Sequence, residues 1–452
     1  MSRFSALLLI VLVPLLVAAP AAAQSRQIPG PPQARPVVIH NATVHPVSGP
    51  AIERGWVRFV DGRLTHVAAG EPSPRLLTGA EVIDASGLHI YPGLVASFTQ
   101  LGLTETAVVG VTVDYNEYGD IKPEVRAAVA VNPDSDLIPV TRANGILLAG
   151  IMPRGGTISG RASTIRLDGW TWEDMTIDDT AGLVVNWPRT EPIDAWWMNR
   201  SASAQRKEIK ENLEELDALF DEAEAYLASK AEDSTLATEQ RFEAMRAAIE
   251  GREPLIVYAN GSGQIESAVS WCVRRGYEVI IAGGAEAAEV LPLLRRHDIP
   301  VIINGLHRLP TRRHASAHQI YELPAALHEA GVRFCLASGA EPAHERELPY
   351  NAARAVAHGL PKAEALRALT QHAADILGFG ADYGTLEVDK SATLIVTTGD
   401  PLEVVTDTLM AYIDGRRIDL GNRQKTLYDK YRTKYIQLGV LEPEPDPTVD
   451  SE

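Results

Sequence analysis

Two stretches concentrate the side chains that could do polar chemistry. "LHRLPTRRHASAH" carries His307, His314 and His318, and "SGAEPAHERELPY" carries Glu341, His344, Glu345 and Arg346. Imidazole and carboxylate at this density could hold a divalent cation, with His307, Glu341 and His344 around one ion. Arg308, Arg312 and Arg313 argue against that by crowding positive charge beside it, and the plainer reading leaves His314 and His318 on a solvated loop. His344 has the side chain for proton transfer, although a base without an electrophile or activated water is a slow catalyst. Arg346 could hold a ligand carboxylate through two parallel hydrogen bonds, or equally pair with Glu345 or Glu347 beside it. Nucleophile chemistry has no motif: there is no Gly-x-Ser-x-Gly, and Cys272 and Cys335 sit in apolar runs without an adjacent base, as buried thiols do. Nor is there a histidine anywhere between His89 and His297.

These residues lie in a region built of alternating units. From about Pro254, the runs "PLIVYAN", "YEVIIAGG", "IPVIING" and "VRFCLASG" read as strands. Between them "GQIESAVSWCVRRG", "AEAAEVLPLLRRHD" and "YELPAALHEAG" read as amphipathic helices, two closing on glycine as C-caps prefer. Four such repeats fit a barrel or an open wound parallel sheet. Upstream, Ile209, Leu213, Leu216, Phe220, Ala223 and Leu227 recur at helical spacing, which predicts a long helix with one buried face. Before it, "RGGTISG" lacks a following helix pattern and reads as a tight loop or hairpin over the strand ends rather than a phosphate cradle. Trp170, Trp172, Trp187, Trp196 and Trp197 are read as packing residues, with a ligand-facing wall as the lesser alternative. Both ends of the chain alternate apolar and polar residues between turn signals, Gly49-Pro50, Asp61-Gly62 and Asp414-Gly415, and are expected to share one sheet domain.

Composition bounds the partners. The 452 residues carry a formal charge of −17, which disfavours nucleic acid and anionic lipid. Residues 1–23, with Arg3 before an apolar run that ends in Ala21-Ala22-Ala23, read as a secretory signal peptide, so the chain is expected to be periplasmic or secreted and free of the membrane after cleavage. A Pro-rich lead follows at 24–36, and "LEPEPDPTVDSE" at 441–452 is an acidic tail that cannot build a core.

The stretches "VIDASGLHIYPGL", "SGAEPAHERELPYNAARAVAHGLPKAEALRALTQHAADILGFG", "GTLEVDKSATLIVTTGDPLE" and the Asp414-Gly415-Arg416 turn together resemble the amidohydrolase superfamily, nearest its imidazolonepropionase-like branch. That resemblance implies a (β/α)8 barrel over 91–383, a composite β-sandwich over 37–90 and 384–422, and a C-terminal helix over 423–440. It implies hydrolysis of non-peptide C–N bonds, in amides and cyclic amides, by water bound to zinc or another divalent metal at the strand C-termini. The family's ligands are a His-x-His pair, often a modified lysine, two further histidines and an aspartate. Matched residue by residue, Phe98 and Gln100 stand in the places of the pair, Ala96 in that of the aspartate before it, Tyr258 and Gly283 or Gly284 in those of the later histidines, and Ala340 in that of the last aspartate. The lysine has no assignable place. The expectation is therefore a retained barrel with no metal cofactor and weak or absent activity. Its pocket is expected to bind a small amide-like ligand through Arg346, Gln100, Tyr258, Asn260, Glu341 and His307, with His344 as the one candidate catalytic group. Two alternatives are an active enzyme with an unconventional single-metal site, and a non-catalytic subunit. Assembly is expected with copies of itself or with an active paralogue.

Overall fold

The computed structural model describes residues 27–310, 312, 315–339 and 341–442. The expected signal peptide, residues 24–26 of the Pro-rich lead, Arg313, His314, Ala340 and the tail from residue 443 lie outside the described residues.

The N-terminal sheet is laid down by β1 (Val37–Val44), β2 (Ile52–Val60), β3 (Arg63–Ala69), a single helical turn α1 (Pro74–Leu77), β4 (Glu81–Asp84) and β5 (His89–Pro92). Asp61 and Gly62, both at positive φ, form the two-residue turn between β2 and β3 that the dipeptide predicts. The other end of the chain completes this sheet, as described below.

The barrel then begins. β6 (Leu94–Thr99) is followed by a long irregular segment, α2 (Leu137–Arg142) and β7 (Ile146–Ile151), which pairs parallel with β6. β8 (Ile158–Arg166), the turn α3 (Trp172–Met175) and β9 (Thr176–Asn186) come next. β8 runs antiparallel to both of its neighbours. This corrects the (β/α)8 expectation for the first half of the barrel, where a hairpin replaces two crossover helices. The glycine pair read as a tight loop, Gly155 and Gly156, makes that hairpin, both residues at positive φ.

Strand and helix alternate in the second half: α4 (Ala202–Glu232), α5 (Gln240–Ile249), β10 (Leu255–Ala259), α6 (Ser262–Arg275), β11 (Val279–Gly283), α7 (Leu291–Arg296), β12 (Val301–Asn304), α8 (Gln319–Ala330) and β13 (Phe334–Ala337). β9 to β13 pair in parallel in sequence order. The result is an eight-stranded sheet running from β6 to β13, nearly closed, with Ser97 Oγ of β6 donating to Leu336 O of β13 at 2.9 Å across the seam. α4 buries Leu216, Phe220, Ala223 and Leu227 of the predicted stripe, leaves Ile209 and Leu213 half-buried, and Phe220 meets Trp271 of α6 edge-on at 4.9 Å. Cys272 and Cys335 are buried free thiols, both pushed up to about 12 by burial.

α9 (Leu348–Ala357), α10 (Lys362–Ala368) and α11 (Gln371–Ile376) lead back to β14 (Leu394–Thr397), β15 (Thr408–Ile413) and β16 (Arg416–Arg417), and α12 (Arg423–Gln437) ends the described chain. β14 pairs antiparallel with β5, so N- and C-terminal segments share one eight-stranded sheet. That sheet folds over itself: Phe59 of β2 and Tyr412 of β15 meet edge-on at 5.1 Å although three strands lie between theirs. Its core, with Ile39, Phe59, Leu64, Ile90 and Tyr412, is separate from the barrel's.

Candidate functional site

The parallel strands end at one mouth, where polar residues follow each apolar run. Side chains alternate along β6, and Phe98 reaches Tyr258 of β10 with ring centroids 6.0 Å apart. Three strands separate β6 from β10 in the sheet, so these two rings meet across the barrel axis. Gln100, just past the end of β6, is buried and its Nε2 donates to Met152 O at 3.2 Å. Of the three residues that sequence matching placed together, the structure brings Phe98 and Tyr258 into contact, while the recorded partner of Gln100 is Met152 O.

The next sector is a charged network. Glu286, following β11, is 3 % exposed. Arg312 grips it as a fork, Nε to Oε1 and Nη2 to Oε2, each 2.9 Å. Its Oε2 also accepts from Ser262 N at 2.9 Å, at the start of α6. A guanidinium and a helix N-terminus thus neutralise one buried carboxylate. Arg308 donates to Asn260 Oδ1 at 3.1 Å. That amide fills the space a side chain on Gly283 would need, with a Cβ there falling 2.9 Å from Asn260 Oδ1 and 3.0 Å from Ala259 O. A Cβ on Gly284 would come 2.6 Å from Val301 Cγ1, and both glycines have positive φ. Neither position can carry an imidazole on this backbone.

The residues after β13 do not join this mouth as expected. Glu341 is exposed and its carbonyl accepts from His344 N at 2.8 Å, opening a 3-10 turn, Pro342–Glu347, that packs against α2 and β6. His344 is exposed with Nδ1 3.3 Å from Glu347 Oε1. Arg346 donates to Ala343 O and stands 3.8 Å from Glu347, so its guanidinium has local partners rather than a ligand. His307 is exposed on the loop after β12. Among the described residues no three His, Cys, Asp or Glu side chains converge to hold a metal ion, His307, Glu341 and His344 included. His318 precedes α8 and packs against His358 at 5.1 Å. Of the tryptophans, Trp187 is buried against Trp271, while Trp170, Trp196 and Trp197 are exposed.

Sequence reasoning missed Glu345. The sequence reading takes it as one more carboxylate of the loop, a cation donor or a partner for Arg346, yet it is fully buried at the seam between β6 and β13. Its Oε2 accepts from Ser338 Oγ at 3.0 Å, and Oε1 has no hydrogen-bond partner. Burial pushes the carboxyl up to about 7, against the opposing hydrogen bonds of Thr99 and Ser338. A glutamate between His344 and Arg346 in a charged turn reads as surface, and only the docking of the turn onto β6 reverses that. Glu286 was missed too, as one of two acids in "GGAEAAE".

Among curated proteins the chain is similar to the amidohydrolase tasK of Hapsidospora irregularis, 22 % identical over 422 residues, which is 84 % of this chain and 43 % of that protein. A 55-residue stretch is 38 % identical to a 5-methylthioadenosine/S-adenosylhomocysteine deaminase of Halalkalibacterium halodurans, covering 12 % of this chain and 13 % of that one. The chain therefore spans less than half the length of these curated relatives. Among solved structures, an amidohydrolase from Thermotoga maritima superposes with a TM-score of 0.74 at 23 % identity, over 85 % of this chain and 99 % of that one. A Xaa-Pro dipeptidase with bound methionine superposes at 0.53 and 14 % identity, over 85 % and 100 %. These likenesses speak for the fold. The amidohydrolase family model matches residues 177–419, more than half of the 452, and the chain belongs to the amidohydrolase family.

Proposed function

We propose that this chain is an exported amidohydrolase-family protein of the imidazolonepropionase-like branch. By lineage it is a hydrolase of non-peptide C–N bonds, in amides and cyclic amides. In this reading its metal centre is largely lost, hydrolysis is weak or absent, and the barrel mouth binds a small polar ligand. Arg3, the apolar run and Ala21-Ala22-Ala23 support export.

The observation that carries the proposal is the ring pair across the axis. A family metal would need imidazole or carboxylate donors where Phe98 and Tyr258 stand 6.0 Å apart. Gln100 has committed its amide nitrogen to Met152 O, and Gly283 and Gly284 have neither a donor nor room for one. Neutral rings and amides do not offset the cost of stripping water from a divalent ion, so the residues present do not fit the metal. What they do offer is hydrogen-bonding capacity around an aromatic floor: Asn260, Arg308 and the Tyr258 hydroxyl suit a small amide or carboxylate.

Elemental analysis of the purified chain after dialysis against zinc and manganese tests this. The expected content is far below one equivalent, and near-stoichiometric metal would overturn the reading.

A further inference from the structure

Beside the mouth, a cavity of about 530 Å³ opens between the irregular segment after β6 and the β7–β8 hairpin. Tyr115, Tyr118, Lys122, Val125, Arg126 and Pro153 are among its lining residues. Lys122 is 3 % exposed. Its backbone is pinned to β8, with Lys122 N donating to Ile158 O and Ile158 N to Asp120 O, each at 3.0 Å. Its Nζ donates to Asn116 Oδ1 at 2.8 Å and to Glu117 O at 2.9 Å.

Both of those acceptors are neutral. An ammonium has three N–H groups and a full charge to satisfy, whereas a neutral amine has two N–H groups and a lone pair. Either form can make the two bonds, and in the neutral amine they leave the lone pair uncommitted. Burial depresses Lys122, and the carboxylates of Asp120 and Glu117 oppose that without overcoming it. A desolvated lysine on a fixed backbone, lining a cavity, is the usual setting of an amine nucleophile.

We propose that Lys122 is a nucleophilic amine serving this cavity and that it takes small aldehydes as imines. The Nζ lone pair attacks the carbonyl carbon and opens its C=O bond, one amine proton passes to the oxygen to give a hydroxyl, and the C–O bond then breaks as that hydroxyl takes up a proton balanced by loss of the second amine proton, so that amine and aldehyde give imine and water with no oxidant or reductant. If the imine is protonated it keeps one N–H, which Asn116 Oδ1 or Glu117 O can still accept. The site is separate from the mouth network and does not depend on the reading given above for the mouth.

Reductive trapping tests it on the whole, unmodified chain. Propanal with sodium cyanoborohydride at neutral pH, followed by peptide mapping, reports the labelling rate of each lysine. Lys122 is expected to label severalfold faster than the exposed Lys207 and Lys210, because burial depresses it and raises its fraction of free amine. In urea that advantage is expected to vanish. Labelling of Lys122 no faster than that of Lys207, or an advantage that persists in the unfolded chain, would overturn the proposal.

Discussion

Replacing Glu345 with glutamine turns the buried carboxyl at the barrel seam into a measurable stability term. In the folded chain this group titrates at about 7, against an ordinary 4.5, because burial penalises its charged form. Between those two values the unfolded chain releases the proton and the folded chain keeps it. The folded state then binds more protons, so stability falls as pH rises through this window and levels off above about 7. From 4.5 to about 7, at about 1.4 kcal/mol per pH unit, the loss comes to about 3 kcal/mol. Glu345→Gln keeps an oxygen for Ser338 and cannot ionise, so it escapes the loss. Urea unfolding of both proteins at about pH 4 and about pH 8 measures it. The stability of the variant minus that of the wild type should rise by about 3 kcal/mol between the two, whatever offset the amide introduces at low pH. Every other titrating group is common to both proteins and cancels. A difference that stays flat with pH would refute the claim that this carboxyl is held in an apolar seam.

Three further changes probe other parts of the fold. Phe98→His with Gln100→His should not create a high-affinity zinc site by calorimetric titration, because Tyr258, Gly283 and Gly284 still supply no donor; family-like affinity would show that the strand matches are wrong. Gly339→Ala should cost about 2 kcal/mol by denaturant unfolding, since φ is +65° and the new methyl would fall 2.4 Å from Gly305 Cα. Asp168→Asn should cost about 3 kcal/mol, because it removes the charge paired with Arg142, buried 2.6 Å from Asp168 Oδ1, and with Arg416; adding Arg142→Met should recover part of that loss, and no recovery would deny the coupling.

Much of the scaffold was legible from period and punctuation. The strands "PLIVYAN", "YEVIIAGG", "IPVIING" and "VRFCLASG" correspond to β10 to β13, because short β-branched runs bounded by turn residues have few other uses. The stripe from Leu216 to Leu227 reports the buried face of α4. The antiparallel β8 was not legible. "TISGRASTIRL" has the composition of any strand, and direction is a property of pairing, set by the glycine hairpin before it and by its neighbours.

The site divides in the same way. That Phe98, Gln100, Tyr258, Gly283 and Gly284 are aromatic, amide and glycine residues is a fact of residue identity, which the chain's order alone determines. Which groups face one another was decided by the tertiary structure, because side-chain direction beyond a strand's end depends on how the following turn docks. So the turn carrying Glu341, His344 and Arg346 lies against α2 and β6 rather than across the mouth, and the same docking sinks Glu345 into the seam. Sequence neighbours 344, 345 and 346 thereby meet water, apolar packing and local partners respectively. A string of residue types cannot show that separation, because burial is a property of surfaces brought together and not of the order in which residues are joined.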